Sequence, residues 1–315
     1  MIFDVLDLSR AHIGIDCRRK DVWPRDNLSQ VAVPTHRKCA FSLDACNLRS
    51  GVRSAKLRWT FLGIGMSVLG RLLGRSGQKD WIKELTAKWH EIPTSALGRG
   101  SSKDATNRSD PELLAWWNEL QAEMLGSLAY RWIVEVYRDF VRGKNILEVG
   151  PGSGVIGITF AEAGAAMTFA DVVPSNLEMI RRVCALKALN AGFLHIEQFN
   201  DPAKLADDYD AIFAIGSLHH APSDVVKSEF EALASRLKIG GRFIALTYPK
   251  DRWIAEGSKP FDQFGKSTDG EDTPWAEWYD LDKMLAQLAP FKFEPLMSFN
   301  YCNDALNWFD LRKTG

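Results

Sequence analysis

From residue 145 onward the chain alternates short apolar runs with stretches of helical period. Residues 146–149, 167–170, 194–199, 211–215 and 243–247 are the candidate strands, mostly apolar except for 194–199, and 174–189 and 223–237 carry the helical spacing between them. Short buried strands separated by helices predict a parallel sheet covered on both faces. The end of the chain breaks this rule. After a helix near 281–288, "FKFEPLMSFN" and "ALNWFDLRK" follow each other too closely for a crossover helix. They predict a terminal antiparallel hairpin.

Upstream, residues 78–92 and 110–141 have helical period, and "SDPELLAWWNELQ" opens with Asp110 placed to cap, Pro111 at the first helical position and Glu112 in the first turn. The tryptophans of these helices, Trp81, Trp89, Trp116, Trp117 and Trp132, are for the most part at core-packing positions. Between the helices, 97–109 predicts a polar loop. The expected organisation is therefore a helical cap over 66–141 and an α/β domain over 142–315. Residues 1–65 show no sustained period, and eleven Lys/Arg stand there against six Asp/Glu, so little independent structure is expected of them. Met66 is the expected natural start, which a native peptide from within 20–58 would rule out.

Composition narrows the partners. Apolar residues at 46% and charged residues at 25% are ordinary for a globular chain. A formal net charge of -1 leaves no wide basic field for nucleic acid. Five scattered cysteines without a C-x-x-C pair predict neither a disulfide framework nor a metal site, and His36, Cys39 and Cys46 lack a second ligand pair. The apolar stretch at 61–70 is too short to cross a bilayer and begins too late for a signal peptide. No integral membrane segment is expected, and the expected location is cytoplasmic.

The chemistry concentrates in "NILEVGPGSGVIG", residues 145–157. In one register Gly152, Gly154 and Gly157 satisfy the dinucleotide pattern, with Asp171 at the distance of a ribose-binding acid; an NAD-dependent oxidoreductase follows. In the other, Gly150, Gly152 and Gly154 form the loop after Glu148. Pro151 removes a backbone donor and makes Gly150 extended. A carboxylate at Glu148 sits badly beside a pyrophosphate and suits a ligand carrying an ammonium group.

Four stretches, "ILEVGPGSG" (146–154), "TFADVVPSNLEMI" (168–180), "YDAIFAIGSLHHAP" (209–222) and "LKIGGRFIAL" (237–246), resemble the class I S-adenosylmethionine-dependent methyltransferases in order and spacing. The resemblance covers roughly 110–315. It implies a Rossmann-like seven-stranded sheet, parallel with an antiparallel terminal strand, under a helical N-terminal cap. It also implies S-adenosyl-L-methionine as cofactor, held by Glu148, Gly150, Gly152 and Gly154, with Asp171 on the ribose, Val172 and Ser217 against the nucleoside, and Asn200 and Asp201 at the adenine edge. For Asn200 and Asp201 a turn before Pro202 is an equal reading. No metal ligand set is implied.

The fourth strand runs into "GSLHHAP" at the sheet edge where open α/β folds bind ligands. His220 is the expected general base for methyl transfer to a hydroxyl, with His219 as second candidate; a structural or substrate-orienting histidine is the alternative. The insertion 248–280, with Trp253, Trp275, Trp278 and Tyr279, is an expected lid whose aromatics either stack on the acceptor or anchor the lid. Tyr130 and Arg131 are within reach of the acceptor pocket. The absence of N-P-P-Y or D-P-P-Y after the fourth strand disfavours DNA-base methylation. The expected acceptor is a small molecule or glycan hydroxyl, including sugars of nodulation signals or surface polysaccharides, with the oxidoreductase and a non-catalytic binding protein as alternatives.

Overall fold

The computed structural model describes residues 80–91, 101–271, 273 and 275–315; the expectations for 1–65 lie outside them. The helices preceding the sheet are α1 (Trp81–Glu91), α2 (Ser102–Thr106), α3 (Asp110–Gly126) and α4 (Leu128–Val141). The domain then alternates β1 (Asn145–Val149), α5 (Val155–Glu162), β2 (Ala166–Asp171), α6 (Pro174–Leu186), β3 (Ala191–His195), β4 (Tyr209–Ile215), α7 (Lys227–Arg236) and β5 (Leu237–Pro249). It closes with α8 (Lys250–Ala255), α9 (Phe261–Thr268), β6 (Trp278–Tyr279), α10 (Leu281–Leu288), β7 (Phe293–Tyr301) and β8 (Leu306–Lys313).

The strand order is β3-β2-β1-β4-β5-β8-β7. β8 runs antiparallel between β5 and β7, so the terminal hairpin is inserted into the sheet. The seven expected strands are all present; the two-residue β6 beside β5 makes eight. Reversal of the winding between β1 and β4 leaves their carboxyl ends facing one crevice, the place where open α/β sheets take ligands.

Local chemistry redraws several boundaries. The long front helix breaks at Ser127, whose Oγ accepts from Ala129 N at 3.3 Å and starts α4 anew. The loop predicted over 97–109 contains α2: Ser101 Oγ accepts from Asp104 N (3.2 Å) and Ser101 N donates to the Asp104 carboxylate (3.1 Å), a capping box legible as S-x-x-D. β3 lies earlier than expected because it is a half-exposed edge strand with weak apolar signal. Residues 196–199, which follow it, belong to the loop beyond the sheet.

One apolar cluster packs α3, α4, α5 and α6 on one face of the sheet, and a second packs α7 and α10 on the other. A buried network ties the cap to the inserted strand. Tyr137 Oη donates to Asp310 at 2.7 Å, Trp308 Nε1 donates to Tyr137 Oη at 3.0 Å, and Arg242 pairs with Asp310. No described helix is long and apolar enough to cross a membrane.

Candidate active site

The glycine loop begins where β1 ends. Gly150 has φ +63, and a Cβ there would lie 2.3 Å from the Ser217 Cβ, so glycine alone lets the loops after β1 and β4 meet. Ser217 Oγ donates to Val149 O at 2.7 Å and Gly150 N donates to Ala170 O at 2.8 Å. From the cap, Trp117 Nε1 donates to Ser153 O at 2.9 Å. The loop is thus fixed from three sides by strand, neighbouring loop and cap helix.

Three acids surround it. Glu148, 3% exposed, turns its side chain under the first turn of α5, and Oε2 has no hydrogen-bond partner. Burial pushes its carboxyl up to about 8, the Gly157 amide offsetting part of the effect. Asp171, at the end of β2, accepts from Val173 N (2.9 Å) and Asn176 Nδ2 (3.0 Å). Burial pushes it up to about 6 against those bonds. Glu229, in the first turn of α7, is pushed up to about 8 by burial and then by the charge of Asp171.

All three acids line one cavity of about 670 Å³. Of the residues expected at the cofactor, Glu148, Gly150, Gly152, Asp171, Val172 and Ser217 lie on its wall, and so does His220. Gly154 does not: it caps α5 with φ +71, and a Cβ there would sit 2.7 Å from Ile180 Cγ1, so it serves close packing of loop on α6. Asn200 and Asp201 are also off the wall. Asp201 is consumed by its own turn, accepting from Glu197 N (2.8 Å) and Gln198 N (3.0 Å) and pairing with Lys204 at 2.6 Å. The apolar Ile196 and Phe199 line the cavity in their place.

The His219 and His220 rings lie 4.2 Å apart, but only His220 is on the cavity wall. His220 Nδ1 faces Trp275 O at 3.3 Å, an arrangement that puts the ring proton on Nδ1 and leaves Nε2 as acceptor. Trp89 packs on its ring at 4.7 Å. His219 is 1% exposed and off the cavity wall, its ring 4.4 Å from that of Tyr248 and its nitrogens unpartnered. Burial holds it well below the usual histidine range. Ligand-type atoms of His219, His220 and Asp269 lie within 4.8 Å of one another, donors of the kind that hold a transition metal. The Asp269 carboxylate already accepts from Tyr248 Oη (2.5 Å) and Thr268 Oγ1 (2.6 Å).

The insertion after β5 folds into α8, α9 and β6. Trp253 and Trp278 stack on each other with ring centroids 5.2 Å apart, Trp275 meets Trp81 edge-on at 5.5 Å and Tyr279 is fully buried. None of the four lines the cavity among its described walls, so they anchor the segment. The aromatics facing the cavity are Trp89, Tyr130, Phe199 and Tyr248. Arg131 instead pairs with Glu135 on the exposed side of α4, at 2.7 Å.

Asn176, Glu229, Tyr248 and Asp269 line the cavity without having been expected there. Glu229 had a signal: it falls on the apolar stripe of α7 beside Val226, Phe230 and Leu233, a costly place for a carboxyl without a purpose. Tyr248 and Asp269 lie in the insertion expected to form a lid, but nothing singled them out within it, because only the fold of the insertion brings them to the crevice.

Residues 147–243 match the family model described as "Methyltransferase domain". Among curated proteins, the chain is 26% identical over 141 residues to the mitochondrial ubiquinone biosynthesis O-methyltransferase of Schizosaccharomyces pombe, covering 42% of this chain and 50% of that protein. It is 28% identical over 167 residues to the ubiquinone biosynthesis O-methyltransferase of Idiomarina loihiensis, covering 46% and 64%. The chain therefore spans half to somewhat under two thirds of the length of these relatives. Among solved structures it is similar to magnesium protoporphyrin IX methyltransferase from Synechocystis PCC 6803, at 16% identity and a TM-score of 0.43, covering 78% of this chain and 92% of that one.

Proposed function

We propose that this chain, whose residues 147–243 match the model of a methyltransferase domain, is a class I S-adenosylmethionine-dependent methyltransferase that methylates a hydroxyl on a small, flat acceptor. The observation that carries the reading is the buried, unpartnered Oε2 of Glu148 beside a glycine loop poor in side chains. A carboxyl so placed fits an ammonium group, whose charge favours its ionised form, and in that form repels a pyrophosphate, which disfavours the dinucleotide alternative. Glu148 would take the methionine ammonium, Gly150 and Gly152 admit the chain of the cofactor, and Asp171, already oriented by Val173 N and Asn176, accepts from the ribose hydroxyls. When bound, S-adenosylmethionine supplies an electrophilic methyl on a sulfonium.

His220 performs the remaining chemistry. Its Nε2 would take the proton from the acceptor hydroxyl as that oxygen attacks the methyl that bound S-adenosylmethionine would supply, with S-adenosylhomocysteine as the leaving product. Trp89 and the Trp275 carbonyl fix the ring in place for this, and the in-line approach depends on positioning. His219, buried off the wall, supports its neighbour by packing.

The acceptor arm of the cavity, with Trp89, Met124, Tyr130, Leu246, Tyr248 and Leu306 against His220, Thr268 and Asp269, supports an aromatic hydroxyl. The names of the curated relatives point the same way. A sugar or glycan hydroxyl has in its favour the flat aromatic faces, but a sugar needs more polar partners than this arm offers. A cytoplasmic setting goes with either acceptor.

In a single-turnover assay with S-adenosylmethionine and a panel of phenolic and sugar acceptors, His220→Ala is expected to slow methyl transfer by about 10² to 10⁴ with S-adenosylhomocysteine binding retained. An unchanged chemical step removes His220 as base; no transfer to any phenolic acceptor removes the aromatic reading.

A further inference from the structure

One acid on the cavity wall has no role in the reaction above. Glu229 is 5% exposed, and its carboxyl makes no hydrogen bond or ion pair with any described residue. Leaving a buried carboxyl unpartnered is costly, and this one opens onto the cavity. Held near 8 by burial, it is mostly a neutral acid at pH 7, with an O–H donor beside a C=O acceptor.

Its position in the cavity is set by what surrounds it. Val226 and Phe230, on either side of Glu229 in α7, belong to the same apolar cluster as Val172, Ile196, Phe199 and Leu218. The turn Asp201–Lys204, just past Phe199, packs against α7. Val172, Ile196, Phe199 and Leu218 line the cavity together with Glu229, an apolar slot beside a carboxyl that is near enough to Asp171 to feel its charge. With the ammonium at Glu148 and the reacting methyl directed to His220, the slot is the arm left for the nucleobase. An adenine edge carries the N6 amino donor next to the N1 acceptor, the complement of a neutral carboxylic acid.

We propose that Glu229 is the residue that recognises adenine, its O–H donating to N1 and its carbonyl oxygen accepting from the N6 amino group. This assignment rests on the cofactor reading above. It gives the adenine edge to α7, while the acid after β3, Asp201, is spent on its own turn.

The test is calorimetric binding of S-adenosylhomocysteine and of its 6-desamino purine counterpart to the full chain as wild type, Glu229→Gln and Glu229→Leu. Glutamine presents the same adjacent donor and acceptor and pairs with adenine in two-point fashion. Wild type and the Gln variant are expected to prefer the amino-bearing ligand by about tenfold, the worth of one net hydrogen bond. The Leu variant is expected to bind both with nearly equal affinity. Equal preference in all three proteins, or a Leu variant that loses both ligands by the same factor, overturns the assignment. If the Leu variant does not fold, the wild type decides alone: binding without preference overturns this assignment and leaves the cofactor reading standing, and no binding of S-adenosylhomocysteine overturns both.

Discussion

Gly157 illustrates how a single missing side chain shapes the site. A Cβ there would lie 2.1 Å from Glu148 Oε2 and 2.4 Å from the Phe169 ring, so the bare backbone of α5 is what allows a carboxyl to sit beneath the helix. Gly157→Ala is expected to cost about 1 to 3 kcal/mol of stability and to weaken S-adenosylhomocysteine binding at the same time, as measured by urea denaturation and calorimetry; loss of stability with intact binding would separate Glu148 from the ligand. The residue itself was visible in the sequence, as the third glycine of a dinucleotide pattern. Its reason was not, because the spacing of glycines is the same whether they admit a pyrophosphate or a neighbouring acid. Asp201 shows the reverse case: an acid at the right place in the chain, turned inward by the amides of Glu197 and Gln198 that only the folded loop presents, while Asn200 beside it stays exposed.

At the scale of elements, α1 changes meaning most. Its tryptophans fit core packing by helical spacing, yet Trp89 lies on the cavity wall against His220. The helix is laid there by Thr86, whose Oγ1 donates to Val172 O at 3.0 Å, and by the hydrogen bond of His90 to Ser175 at 3.1 Å. Trp89→Ala is expected to raise KM for the acceptor about tenfold, the scale of losing one apolar ring contact, with Kd for S-adenosylhomocysteine unchanged. Steady-state kinetics beside calorimetry checks this, and an equal loss of both would move α1 from acceptor arm to general scaffold. Helical period reports that one face is covered but not by what, so a ligand-facing tryptophan and a core tryptophan look alike in the chain.

For the molecule as a whole, the three raised carboxyls set a pH dependence. Glu148 and Glu229 titrate near 8 and Asp171 near 6 in the folded state, against about 4 in an unfolded chain. The folded state therefore holds extra protons between those values. The stability this contributes is complete below about pH 4 and is lost as pH rises through 6 and 8. Thermal denaturation of the ligand-free protein is expected to show a falling midpoint from pH 6 to 8.5, and the double substitution Glu148→Gln with Glu229→Gln is expected to flatten it; an unchanged slope would mean that these groups ionise freely. The sequence by itself determined the alternation of strands and helices, the terminal hairpin and the glycine loop with its preceding acid, because each follows from local periodicity and backbone freedom; the insertion of that hairpin into the sheet did not. Which of the two histidines faces the cavity, and which acids and aromatics line it, were decided by tertiary structure. Those outcomes depend on burial and on partners dozens of residues away, and no local pattern carries them.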